Sequence, residues 1–124
     1  MKKTADSNFR GIIPVLSSSD VKRDATWYQE NLGFEIAFWD GDGYAGLQRD
    51  GIQLHLQWHH NNEEDPVLPG VIKLFVHDII PIFQELLNKD IITEDRLRRH
   101  TPWGTHELGL FDLNNNAIFF VQDV

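Results

Sequence analysis

The stretch that most constrains this chain is Thr101–Gln122, TPWGTHELGLFDLNNNAIFFVQ. His106–Asp112 and Ala117–Gln122 are apolar, aromatic-rich runs of strand length. Leu113-Asn114-Asn115-Asn116 between them is turn chemistry, because asparagine side chains bond their own backbone and tolerate the left-handed conformation. Pro102-Trp103-Gly104 makes a backbone corner ahead of the first run. A hairpin cannot bury its apolar face alone, so the rest of the chain must supply a wider sheet and a layer packed behind it.

It supplies them twice. Gly11–Leu16 is a short apolar run whose Pro14 fits an edge or interrupted strand. Ser17-Ser18-Ser19-Asp20 is a capping sequence, and Val21, Ala25, Tyr28 and Leu32 then recur on one helix face until Gly33 ends it. Phe34–Trp39 sets Phe34, Ile36 and Phe38 against Glu35, Ala37 and Trp39; Asp40–Gly43 is a turn, and Tyr44–Arg49 follows. Asp50-Gly51 is a hairpin signal leading into Ile52–Trp58, where Ile52, Leu54, Leu56 and Trp58 share one face and Gln53, His55 and Gln57 the other. After the polar stretch His59–Pro69 the pattern restarts. Gly70–Val76 reads as a strand, and His77-Asp78 starts a helix with Pro81 in its first turn and Phe83, Leu86 and Leu87 on its buried face. Ile91-Ile92 and the charged Thr93–His100 then lead to the hairpin. Ser19-Asp20-Val21 matches His77-Asp78-Ile79, and Gly46-Leu47 echoes Gly109-Leu110. The expected fold class is α+β, a single domain over residues 1–124: an N-terminal arm (1–10), one βαβββ module (11–58), a connector (59–69) and a second module (70–124).

Composition closes off several function classes. With 41% hydrophobic and 24% charged residues the chain can build an ordinary core. No apolar run approaches the ~20 residues of a membrane span, and the basic start lacks the apolar middle of a signal peptide. No membrane contact and a cytoplasmic location are expected. The absence of cysteine excludes disulfides and thiol catalysis. A formal charge of −8 and a pI near 5.0 argue against nucleic acid and would favour a cationic ligand.

In its order of elements the chain resembles the vicinal oxygen chelate superfamily, which includes glyoxalase I, extradiol dioxygenases, fosfomycin-resistance and bleomycin-resistance proteins. The resemblance is carried by IPVLSSSDVKRDATWYQENLGFEIAF, by YAGLQRDGIQLHLQ and by PWGTHELGLFDLNNNAIFF. It implies two βαβββ modules whose mixed sheets curl around a ligand cleft, often completed across a dimer. Metal-dependent members place ligands on the first and last strand of each module. The matching positions here are Ile13, His55, Val71 and Phe119, of which one can donate to a metal. A divalent ion needs three or four converging donors, so neither a metal nor another cofactor is expected, and an enzyme less than a binding protein.

Within the family the likeness is to bleomycin-resistance proteins, which act in antibiotic resistance by sequestering the drug. The points of similarity are Phe38, Tyr44 with Ala45, and Trp103-Gly104-Thr105. Flat aromatics suit a planar ligand and, with the negative charge, a cationic one. The expected ligand-binding residues are Phe38, Tyr44, Gln53, His55, Gln57, Trp103, Gly104 and Phe119, with no catalytic or metal-binding residue; the expected partners are a bleomycin-like or other aromatic or cationic small molecule and a second copy of the chain. His55 stands where those proteins can carry an acid. The alternatives are an enzyme of the same fold acting on a small metabolite, with His55 as acid–base group, and a non-catalytic interaction module. The connector's His59, His60, Glu63, Glu64 and Asp65 read as a solvated loop.

Overall fold

The structure, a computed structural model, describes residues 7–124; the first six residues of the expected arm lie outside them. Two open mixed sheets carry one helix each. In the first, β1 (Val15–Ser18), β4 (Ile52–Trp58), β3 (Tyr44–Arg49) and β2 (Glu35–Asp40) lie in that order. β1 runs parallel to β4 and the others are antiparallel. In the second, β5 (Val71–Phe75) runs parallel to β7 (Ala117–Asp123), which pairs antiparallel with β6 (Thr105–Phe111). The second sheet thus repeats the first, except that the counterpart of β2 is reduced to one bridge, Arg98 to Glu107. The charged, arginine-rich run before the hairpin cannot cover an apolar face, so it pairs once and leaves.

Helix α1 (Val21–Leu32) begins because the Asp20 carboxylate accepts from the Arg23 amide, and ends at Gly33, whose φ of 68° suits glycine. It packs on β2, β3 and β4 through Val21, Ala25, Tyr28 and Leu32, the expected face. The same face also buries Asp24, which apolar spacing does not reveal. Helix α2 (Ile79–Asn88), capped by Asp78, packs on β6 and β7. Its buried face is Ile79, Ile82 and Leu86, with Phe83 and Leu87 half-buried, so the expected face is turned by about one residue. Leu47, Leu54, Leu56, Leu108 and Ile118 complete the core on the helix sides of the two sheets. Among the described residues no helix is long and apolar enough to cross a membrane.

One correction falls on β2. Strict alternation puts Phe34, Ile36 and Phe38 on one face, but the pairing with β3 slips between Ile36 and Phe38. Ile36 pairs with buried Leu47, whereas Phe38 pairs with Gly46 on the opposite face. A bulge at Ala37 inserts one residue and so moves Phe38 out of the core.

The two modules are joined by polar contacts. Tyr28 Oη donates to Asp112 Oδ2 at 2.6 Å, and Asn116 Nδ2 donates to the Ser17 carbonyl at 3.1 Å. Asn114 Nδ2 and Ser18 Oγ both donate to Asp24 Oδ2. On the far side, Arg49 Nη2 sits 2.8 Å from Glu85 Oε1, while its Nη1 donates to the Leu32 carbonyl.

Candidate functional site

Each sheet has a face turned away from its helix. On the first, β4 presents Gln53, His55 and Gln57, as alternation requires. His55 is half-buried between exposed Gln53 and Gln57. Across the sheet, Tyr44 Oη lies 2.7 Å from His55 Nδ1, and the bulged Phe38 stacks on Tyr44 (centroids 6.3 Å apart) and meets His55 edge-on at 5.3 Å. Four of the expected residues therefore share this face with Phe38, and Phe38, Tyr44 and His55 form one cluster. The Tyr44 bond uses His55 Nδ1 and leaves Nε2 without a partner among the described residues.

The Phe38 ring can lie flat there because Gly46 is beneath it. A Cβ on Gly46 would stand 2.1 Å from Phe38 Cε1. Gly46→Ala is expected to cost about 1–3 kcal/mol by forcing the ring aside, and nearly nothing in a Phe38→Ala background. A chemical-denaturation double-mutant cycle checks this; additive costs would contradict the contact.

The second sheet repeats the device with a different donor strand. Gly109 is covered by Phe119 from β7, whose Cε1 would lie 2.7 Å from an added Cβ. Sheet register makes Phe119 the counterpart of His55, since each pairs with the covered glycine. Trp103 is 58% exposed at the rim. Its indole N–H donates to Glu107 Oε2 at 2.5 Å. The Arg98 guanidinium carbon lies 5.3 Å from the Trp103 ring centroid. Gly104, at φ 83°, supplies the turn that carries Trp103.

Glu107, only 5% exposed, is not among the expected binding residues. It shares a strand face with Thr105 and Gly109, the face away from α2, and that period of two was the available signal. Hydrogen bonds from Thr105 and Trp103 hold its carboxyl below the ordinary carboxylate range, with Lys73 and Arg98 assisting and burial opposing. A carboxyl depressed in the folded state stabilises above its unfolded pKa and loses that contribution as pH falls through the folded value. Wild type is therefore expected to exceed Glu107→Gln in stability at neutral pH, with the gap closing below about pH 4.5, the ordinary glutamate value. Denaturation at a series of acidic pH values measures it; a constant gap would refute the assignment.

The two groups of rings stay apart. Among the described residues, no ring of the Phe38–Tyr44–His55 cluster meets Trp103 or Phe119. A cavity of about 1010 Å³ lies where the N-terminal segment passes β5 and the start of β4; Gln53 and Ile13 are on its wall with Lys73 and Phe75. Of the four positions that the resemblance matches to metal ligands, Ile13, Val71 and Phe119 carry hydrocarbon only. In the connector, His59 Nδ1 and His60 Nδ1 both close on the Asp65 carboxylate, at 2.6 and 2.9 Å.

The chain matches no family model and no curated protein. Solved structures do match. A bleomycin resistance determinant encoded on the transposon Tn5 is 23% identical, with 93% of this chain and 98% of that one covered and a TM-score of 0.75. A bleomycin-binding protein from bleomycin-producing Streptomyces verticillus, complexed with copper(II)-bleomycin, is 25% identical over 91% and 95%, with a TM-score of 0.69. A lactoylglutathione lyase from Agrobacterium tumefaciens is 14% identical over 93% and 95%, with a TM-score of 0.73. The chain therefore has the vicinal oxygen chelate fold that bleomycin-resistance and glyoxalase proteins share.

Proposed function

We propose that this protein binds and sequesters a planar, cationic small molecule of the bleomycin type, in a cleft completed by a second copy of the chain. The observation that carries the reading is the Phe38–Tyr44–His55 cluster, an aromatic surface set on the uncovered side of a sheet by the Ala37 bulge and Gly46. Rings in such a position gain little for the core and much for a flat ligand. Hydrocarbon at three of the four metal positions favours binding over metal-assisted chemistry.

The second copy is supported by what the single chain leaves uncovered. Phe9 is fully exposed and Ile12 94% exposed, and Val71, Phe75 and Phe111 stand open on the second sheet. Pairing the open face of one sheet with that of the partner's other sheet would cover these residues and bring the two ring groups together. The cytoplasm suits this role, since the drug would be intercepted before it reached DNA.

Titration calorimetry with a bleomycin-type glycopeptide, alongside light scattering, tests the proposal. Binding of one ligand per chain by a dimer is expected; no binding at high micromolar drug would refute sequestration, and a monomer at tens of micromolar would refute the shared cleft. The second reading, an enzyme with His55 as acid–base group, is favoured by its Nε2, which has no partner among the described residues. Turnover of a glutathione-conjugated or similar metabolite, abolished by His55→Ala, would support it.

A further inference from the structure

Glu107 has one pinned oxygen and one open one. Thr105 Oγ1 and Trp103 Nε1 both donate to Oε2. No hydrogen bond from a described residue ends on Oε1, yet no buried side-chain oxygen among the described residues lacks a partner. Oε1 therefore reaches solvent, on the face that Trp103 rims. A carboxylate held by two donors, with its second oxygen outward, is a preorganised acceptor for a charged donor.

The neighbouring ring already holds a cation. Arg98 exchanges both backbone hydrogen bonds with Glu107, at 2.8 Å each, and its exposed side chain extends over Trp103. We propose that Glu107 Oε1 and the Trp103 face together form a seat for one cationic group of the ligand, an ammonium, amidinium or guanidinium joined to an aromatic ring. Arg98 holds this seat in the free chain as an internal competitor. The inference rests on the small-molecule reading above and adds to it the residue that selects ligand charge.

The physical balance favours exchange. Arg98 is exposed, so releasing it to water restores its hydration at little loss, while the incoming cation gains the carboxylate and the ring at once. Lys73 and Arg98 both help to keep Glu107 ionised. An anionic ligand would instead pair with Arg98 and Lys73 and be repelled by Glu107.

The test uses three matched probes, N-methylquinolinium, neutral quinoline and a quinoline carboxylate, followed by the indole N–H resonance of Trp103. The cation is expected to bind about tenfold more tightly than quinoline. Glu107→Gln should erase that preference, and Arg98→Gln should tighten binding of the cation by about threefold. Preference for the carboxylate, an unchanged preference in Glu107→Gln, weaker cation binding by Arg98→Gln, or no probe shifting the Trp103 signal would each overturn the seat. If Glu107→Gln fails to fold, the probe ranking in wild type and Arg98→Gln decides. Because no glycopeptide is involved, a protein that ignores bleomycin but prefers the cation keeps the seat and loses the drug.

Discussion

Replacing Asp112 with alanine is expected to lower stability by about 4 kcal/mol, because several buried donors lose their acceptor together. Asp112 is 6% exposed. It accepts from Tyr28 Oη at 2.6 Å, from the Asn114 and Asn116 amides at 2.8 and 2.9 Å, and from Asn116 Nδ2 at 2.9 Å. Burial, with Asp112 beside it, pushes the Tyr28 phenol well above its usual range, so that hydroxyl remains a donor. For a chain of this size the loss corresponds to a fall of about 15 °C in melting temperature. Tyr28→Phe removes one donor and keeps the carboxyl group bonded, so it should cost only about 1 kcal/mol. Denaturant titration of both variants measures the difference. Equal, small losses would mean that water replaces the Asp112 network and that other contacts hold the modules together.

Trp103→Ala is the second large effect, and it falls on binding. With more than half the side chain exposed, its removal should move the melting temperature by only a few degrees. If the proposed function holds, affinity for a bleomycin-type glycopeptide should drop about thirtyfold, the effect of losing a central stacking ring. Trp103→Phe keeps the stacking surface but not the bond to Glu107, so it should recover most of the loss if stacking dominates. Calorimetry on the three proteins decides. Unchanged affinity in the alanine variant would remove Trp103 from the site, and a variant that no longer folds would show that the indole supports the structure instead.

Much of the architecture was legible because apolar spacing and caps are local. Val21, Ala25, Tyr28 and Leu32 named the buried side of α1, and the glycine echo, Gly46 with Gly109, marked equivalent positions in the two sheets. The site was legible in composition more than in geometry. Phe38 was expected among the ligand-contacting rings, yet alternation grouped it with Phe34 and Ile36, because it cannot count an inserted residue at Ala37. Glu107 was not among the expected binding residues, because its donors, Trp103 and Thr105, gather only once the corner has folded. Asn114 and Asn116 read as turn residues, which they are, yet their side chains also bind Asp24 and the Ser17 carbonyl in the other module. Turn chemistry is written in four residues; a partner ninety positions away is not.

That separation bears on how the chain is made. Synthesis delivers the N-terminal module first. Its Asp24, 2% exposed in the finished structure, must wait for the Asn114 side chain, which is 90 residues downstream, and Tyr28 must wait for Asp112, 84 residues downstream. Until those residues leave the ribosome, the Tyr28 phenol lacks its acceptor and Asp24 has only Ser18 and Arg23 to bond. The nascent first half can collapse, but its polar seam closes only after Asp112 and Asn114 have emerged, so commitment to the native state waits for the second module.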